Sequence, residues 1–566
     1  MRSKYSNGNI FNEVVYNRFP RHKFNLGHFN KLTCNHGLAI PFLTDIVSPG
    51  DRVDCNTFGR IQLQPLATSS MQNIKCYFRY FYVPFRLLWD EWDDFMTQEI
   101  NGDTNFDNPY VVLDGSFLNI LREPGCLADY LGLGLYNEDE NGNVIEYAPD
   151  AKLPVNLWMF QAYRLIWDYY FRDENLQNEL TVELSRGNNR YFEKMYFYQL
   201  LPVAYEKDYF TSALPWPQKG DPVNLSAFVS QSVLDGTVTI DKEGVRVIPY
   251  SSDRALQMYA DKIGVGNGTA NLVSHSNDGI DTTNPSAISF YSAHSEEAGH
   301  TIVDIPENTL TTSLNINDLR YSNALQRFLE RKALGGSRPS EFYLSMYGVR
   351  VDDLRIGQPL YLGGGSVNVS VTDVASTVDA KSTDGTPLPQ GTLAGNGKAF
   401  PAISMNHPYY CQEFGVIMGI MYIRPEINYS QGLPRHFTTM QPLDYFNPLF
   451  SNLGEEAVYK SELVVKPDIN RTVEGNNDDI FGYQSRYAYL KHKRNEIHGD
   501  FKDTLSSWVL SAHFQPDVEL NSDFIVVDQN YDIFAVEDAH YHHYLVELYN
   551  DYQKESSMSN HVIPSL

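Results

Sequence analysis

Cysteine is scarce in this 566-residue chain, and the five present (Cys34, Cys55, Cys76, Cys126, Cys411) show no C-x-x-C spacing. That excludes a disulfide framework and a cysteine-type zinc site, and it leaves the thiols as small buried residues of a protein that folds under reducing conditions. Long apolar runs are missing too. No stretch of about 18 hydrophobic residues occurs, so no ordinary transmembrane helix is expected. The opening residues, MRSKYSNGNIFNEVVYNRF, lack the continuous apolar segment of a secretory signal, and a soluble, cytoplasmically folded protein is expected. Positive charge is in deficit, 44 Lys and Arg against 70 Asp and Glu, for a net charge of −26. A general nucleic-acid binder needs a basic surface to displace counterions, so that class is disfavoured.

Catalytic signatures are equally absent: there is no G-x-S-x-G, no H-E-x-x-H and no Walker loop. Gly264-Val265-Gly266-Asn267-Gly268 superficially suggests a phosphate loop, but no buried strand precedes it and no helix follows, so it reads as a turn cluster. His540-Tyr541-His542-His543 is the most metal-like cluster, and in a strand His540 and His542 would face the same way, yet no third ligand is identifiable and hydrogen-bonded histidines are the plainer reading. Asp352-Asp353 and Asp478-Asp479 point to opposite sides of an extended chain, which does not make a glycosidase pair. No catalytic residue, cofactor or metal site is predicted, and an enzyme is not expected.

What the chain has in abundance is aromatics, 38 Tyr and 31 Phe, together with 38 Gly and 29 Pro. That mixture favours short strands joined by turns and long loops. The organising stretch is residues 74–97, IKCYFRYFYVPFRLLWDEWDDFMT. Cys76, Phe78, Tyr80 and Tyr82 alternate with Tyr77, Arg79, Phe81 and Val83, and both sets are largely apolar, so the strand should be covered on both faces. Pro84, lacking an N–H, ends the ladder. From Leu87 the period turns helical, with Leu88, Trp92, Phe95 and Met96 on one stripe and Asp90, Glu91, Asp93 and Asp94 largely off it. Residues 415–425, GVIMGIMYIRP, form a second doubly apolar strand that should lie beside or across from the first.

The remaining chain divides by composition. Residues 1–31 carry Arg2, Lys4, Arg18, Arg21, Lys23 and Lys31 against the single acid Glu13, and read as a basic, extended arm that docks on something. A second basic patch comprises Arg486, Lys491, Lys493 and Arg494. Either is most simply a solvated segment, but either could contact an anion on an otherwise acidic body. Residues 32–219 hold the first part of the core, with an exposed hairpin near 137–150 and an aromatic-striped helix at 157–171. Residues 220–312, with twelve acids against four bases, read as a compact acidic surface insertion. Residues 313–566 complete the core, with a helix near 314–334, a Gly/Ser/Thr-rich loop at 363–398, and candidate strands around Phe514 and Phe524-Ile525-Val526-Val527. The expected fold is mainly β, a sandwich with inserted loops and a few helices.

Seven stretches, in order, resemble the major capsid proteins of the Microviridae, and within them the gokushovirus-like branch: FNLGHFNKLTCNHGLAIPF (24–42), SPGDRVD (48–54), YVPFRLLWDEWDDFMT (82–97), SRPSEFYLSMYGVRVDDLRIGQPLYLGGGS (337–366), GIMYIRPEINYSQGLPRHF (419–437), PLFSNLGEEAVYKSEL (448–463) and FGYQSRYAYLKHKRNEIHGDF (481–501). The resemblance implies a jelly-roll sandwich that self-assembles into a T=1 icosahedral shell around single-stranded DNA, in a virion built in the host bacterial cytoplasm. It implies a separate small basic DNA-packaging protein, a minor pilot protein and a host cell-surface receptor as partners, and a surface protrusion at the threefold axes, for which 220–312 is the candidate. On this reading Arg2, Lys4, Arg18, Arg21, Lys23, Lys491, Lys493 and Arg494 are candidate DNA-phosphate contacts, and Asp90, Glu91 and Asp94 candidate contacts between subunits. A carbohydrate-binding or glycoside-cleaving β-sandwich, or a receptor-binding tail protein, remains open as a different class.

Overall fold

The uninterrupted apolar pattern of residues 74–84 requires partners on both faces, and the fold supplies them. The computed structural model describes residues 20–97, 107–220 (except 137, 140, 141, 181, 191, 193 and 194), 357–375, 393–469 (except 452) and 479–559. It also describes short elements between 238 and 281, a helix at 316–335, and residues 344–345, 380–381 and 387–388. The strands that build the core begin with β1 (His22–Asn25), β2 (His28–Cys34), β3 (Ile40–Val47), β4 (Arg52–Leu63) and β5 (Ile74–Pro84). After a long insertion come β6 (Leu360–Asn368), β7 (Ser370–Ala375), β8 (Leu393–Ala399), β9 (Ala402–Ser404), β10 (Tyr409–Tyr410) and β11 (Gly415–Pro425). A second insertion leads to β12 (Tyr544–Ser556).

These strands form two antiparallel sheets. In one, β1 and β2 pair with β12, β12 with β4, β4 with β8, β9 and β10, and β8 with β7. In the other the order is β6-β5-β11-β3. Counting β2, β3, β4, β5, β6, β8, β11 and β12 in chain order, the first, eighth, third and sixth face the second, seventh, fourth and fifth. That is the strand order of a jelly roll. The two apolar strands are direct neighbours, from Gly415↔Pro84 to Pro425↔Ile74.

Alternation along β5 divides the core. Cys76, Phe78, Tyr80 and Tyr82 join Ile417, Met421 and Ile423 of β11 and meet Val53, Cys55, Ile61, Tyr544, Val546 and Leu548 from the other sheet. Tyr77, Phe81 and Val83, with Val416, Met418 and Tyr422, face the inserted helices. A central polar thread crosses the sandwich: the Tyr80 hydroxyl donates to Thr57 Oγ1 at 2.6 Å, which donates to Asn550 Oδ1 at 2.7 Å. Three strands contribute to it, so none of these buried groups is left unpaired. All five cysteines are buried and free. The SPGD turn closes with Asp51 N–H on the Ser48 carbonyl at 3.0 Å and Gly50 at φ 93°.

Several expectations need correction. The helix after Pro84 is two short ones, α1 (Phe85–Leu88) and α2 (Trp92–Thr97), separated by Trp89 in extended geometry at φ −154°. The break seats Trp89 and Trp92 together around Trp158, with ring centroids at 6.1 and 5.4 Å, and it leaves Met96 exposed. Residues 363–398, expected as a loop, include much of β6 and β8 and the whole of β7. Their glycines mark close approach rather than a turn: a Cβ on Gly364 would lie 2.1 Å from the Phe78 carbonyl oxygen, and one on Gly397 2.8 Å from Leu63 Cδ2. The described end of the basic arm is also sheet, since His22–Asn25 and His28–Cys34 pair along Tyr544–Ser556 of the same chain. Phe524-Ile525 lies in a helical turn, Ser522–Ile525, because Asn521 Oδ1 accepts the Phe524 N–H at 2.9 Å and caps it.

The first insertion carries α1, α2 and α3 (Trp158–Tyr170), whose Phe160, Tyr163 and Trp167 are buried against the β5–β11 face as their spacing predicts, while Tyr170, the last of that stripe, is partly in solvent. Near 137–150, Glu138 bridges Val144 around Gly142 at φ 80°. The chain separates into two compact units, Met1–Pro217 with Gly335–Leu566, and Gln218–Leu334. In the second, Val245–Ile248 pairs with Val238–Thr239 and Gln257–Ala260, and Gln257–Ala260 also pairs with Thr269–Asn271. A further helix, α4, runs Ile316–Gly335. The glycine cluster 264–268 lies outside the described residues.

Candidate assembly and phosphate-contact surfaces

The acidic helix face is split by use. Asp90 and Asp94 are exposed, whereas Glu91 Oε2 receives Arg186 Nε at 2.6 Å. Glu91 therefore ties the helix pair to residue 186 of the same chain, and Asp90 and Asp94 face outward.

Of the basic arm, Arg2, Lys4 and Arg18 lie outside the described residues. Arg21 sits over the Tyr410 ring, 5.2 Å from its centroid, with its guanidinium donating to the Tyr410 hydroxyl at 3.3 Å. Lys23 lies in β1 opposite Glu555 and is exposed.

The second basic patch belongs to a lobe in the insertion between β11 and β12. There a Tyr487 held in the left-handed region (φ 60°) starts the helical turn Ala488–Lys491. That backbone costs about 1–2 kcal/mol for a residue with a side chain. It is braced by Glu456 Oε2, which accepts the Tyr487 N–H at 3.2 Å. Lys491 and Lys493 are exposed, Lys491 donating to the Arg486 carbonyl at 3.1 Å. Arg494 is committed within the chain, bonding Glu496 Oε1 at 2.9 Å and the Glu462 carbonyl at 2.9 Å. Lys493 and Arg494 border a cavity of about 230 Å³ that Tyr209, Arg435, His436 and Tyr489 also line.

Sequence reasoning missed what holds this lobe together. Arg435 is largely buried and bonds Glu456 Oε1 at 2.7 Å, the Ala457 carbonyl at 2.6 Å and Glu462 Oε1 at 3.5 Å. Glu462, 3% exposed, also accepts the Tyr459 N–H at 3.1 Å and the Tyr209 hydroxyl at 3.1 Å. Burial pushes its carboxyl upward, against the pull of Arg435. Around this hub pack Phe210, Ile427, Tyr429, Val458, Phe481 and Phe524. No local motif announces such a hub, because its members lie at 209, 435, 456 and 462 in sequence.

The histidine cluster is dispersed by the fold. His540 is solvent-exposed beside Asp538, and His542 Nδ1 lies 2.7 Å from Thr33 Oγ1. His543 is buried between Asn35 Oδ1 and the Val536 carbonyl, each 2.8 Å from a ring nitrogen, and stacks on Tyr531 at 4.0 Å. His542 and His543 thus tie the approach to β12 to Thr33 and Asn35, and His540 stays in solvent.

Comparison with known proteins places this geometry. The family described as "Capsid protein (F protein)" matches residues 12–566. The chain is 30% identical to a protein named Capsid protein VP1 from Bdellovibrio phage phiMH2K, over 92% of this chain and 90% of the relative. It is 30% identical to the Capsid protein VP1 of Chlamydia phage 1, over 91% of each. Against the Capsid protein VP1 of Spiroplasma virus 4 the identity is 26%, over 90% of this chain and 88% of the relative.

Proposed function

The chain belongs to the capsid protein (F protein) family and is a major capsid protein of a small phage, and we propose that its copies close into a T=1 icosahedral shell around single-stranded DNA. A capsid protein builds its shell from many copies of itself, so its place is the virion and its role is structural. The observation that carries the reading is the match along nearly the whole chain to capsid proteins, joined to a jelly-roll strand order that buries β5 on both faces. The sugar-binding alternative has nothing comparable behind it.

Within that reading, particles are assembled in the host cytoplasm, and the basic residues Arg2, Lys4, Arg18, Arg21, Lys23, Lys491 and Lys493 touch DNA phosphates from the inner side. A small basic packaging protein supplies most of the counter-charge, a reading taken from the family resemblance with which a chain of net charge −26 is compatible. Residues 220–312 form the outward protrusion that meets a host receptor, and a minor pilot protein completes the particle. Asp90 and Asp94 sit at a contact between subunits. Deleting residues 2–23 tests the DNA contact: particles should form yet protect less DNA from nuclease, and unchanged protection would refute it. The triple substitution of Asp90, Glu91 and Asp94 by alanine should lower shell yield while costing the isolated subunit no more than about 1 kcal/mol, the range of an exposed ion pair. Normal yield would remove these residues from the interface.

A further inference from the structure

Residues 436–454, HFTTMQPLDYFNPLFSNLG, contain no Lys or Arg and a single carboxylate, Asp444, in a chain that is 20% charged. Six large apolar side chains in this segment stand in solvent: Phe437 (61% exposed), Met440 (59%), Tyr445 (59%), Phe446 (57%), Leu449 (84%) and Leu453 (60%). With about 150–250 Å² available on each large side chain, they expose on the order of 700 Å². A typical monomer's largest apolar patch is roughly 300–600 Å², so the summed exposure along this one segment is large. It approaches the roughly 800 Å² that each partner contributes to a specific interface.

The segment is not a loose loop. Three 3-10 turns, Arg435–Phe437, Pro442–Asp444 and Pro448–Phe450, give it a set shape. Asp444 Oδ2 accepts the N–H groups of Met440 and Gln441, both at 2.9 Å, so its one charge is spent on the turn. Asn447 Oδ1 caps the third turn through the Leu449 N–H at 3.0 Å. Phe446 leans edge-on against Tyr487 at 5.1 Å, and the Tyr489 hydroxyl donates to the Asp444 carbonyl at 3.2 Å, which anchors the segment to the lobe beneath it. The backbone thus holds its apolar groups outward before any partner arrives, which lowers the ordering cost of binding.

We propose that residues 436–454 form a docking surface for a second copy of this chain in the shell, a reading that rests on the capsid assignment. Copies that each carry a net charge of −26 repel, so a contact between them is best built from a patch with little charge, rich in aromatics and Met. Nucleic acid would require cations within the segment, which has no Lys or Arg; at its border Arg435 is engaged by Glu456 and Glu462, and Arg486 lies over the Phe450 ring at 6.0 Å.

The test uses the full chain with Leu449→Cys, because all five native cysteines are buried and the new thiol is the reactive one. Maleimide should label dissociated subunits readily and intact particles at least tenfold more slowly, whereas equal labelling of both overturns the proposal. In parallel, Leu449→Asp with Leu453→Asp should leave subunit melting unchanged and reduce particle yield at least tenfold, while Leu449→Met should retain it. Normal yield from the double aspartate variant overturns the proposal, and so does normal yield with lost host attachment or lost DNA, which would assign the patch to a receptor or to nucleic acid. Absence of particles from the unmodified chain would instead count against the capsid reading itself.

Discussion

The sandwich and the lobe between β11 and β12 differ in how much of their cohesion is apolar. The sandwich is mainly an apolar contact between two sheets, crossed by the thread Tyr80–Thr57–Asn550 and, at one end, by Lys554 of β12 bonding Asp45 of β3 at 3.0 Å, and its side chains alternate with the strand period. The lobe has a smaller apolar core, short 3-10 turns, and the buried hub of Arg435 with Glu456 and Glu462. Apolar burial tolerates small changes in place, whereas a buried charge set punishes loss of any one member. The contrast suggests a division of labour, with the sandwich as scaffold and the lobe as the rigid carrier of contact surface.

The sharpest way to break that contrast is Arg435→Met. It leaves two carboxylates without their counter-charge and should cost about 3–5 kcal/mol. The loss should appear first as proteolytic cleavage within 426–543 while the sandwich stays protected, and simultaneous cleavage of both regions would erase the distinction. Next in size is a pH effect at the sandwich seam, where His36 is fully buried with Nε2 3.1 Å from the Asp528 carbonyl. Burial lowers its pKa to about 4, although the Asp528 carbonyl pulls the other way, and His543 lowers it further. The folded pKa thus lies below the unfolded value of about 6.5, so the folded state favours the neutral ring. The stabilisation is complete above pH 6.5 and is lost as pH falls toward 4, by about 3 kcal/mol. Denaturant titrations at pH 7 and pH 4 should show that much more loss for the native chain than for His36→Phe, and equal losses would refute the assignment. The smallest effect belongs to Tyr80→Phe, which removes one donor from the thread and should cost about 1–2 kcal/mol of global stability, read from the denaturant midpoint. A cost confined to the lobe would contradict the division.

The same contrast explains what could be read from residues alone. β5 and β11 were legible because a long two-sided apolar alternation has few other solutions, and α3 because its aromatics recur at helical spacing. Gly363 to Gly365, Gly395 and Gly397 misled, since glycine marks either a turn or a close approach and only the packed sheet distinguishes them. Phe524-Ile525-Val526-Val527 misled because a short apolar run fits strand and helix alike, and the Asn521 cap decides it. Among the candidate site residues, exposure of Asp90, Asp94, Lys491 and Lys493 follows from their charge, but Glu91 and Arg494 find partners through long-range folding that no local pattern records. The apolar segment 436–454 was the least legible of all, because apolar residues in a sequence read as core and only the fold shows them facing out.

Self-assembly of this chain is tested directly by native mass measurement of purified particles. With a chain of 64.6 kDa, a T=1 shell of sixty copies gives a protein mass of about 3.9 MDa, and a single species at that mass is the predicted result. A stable monomer, or a heterogeneous ladder without closure under conditions where the subunit is folded, would contradict it.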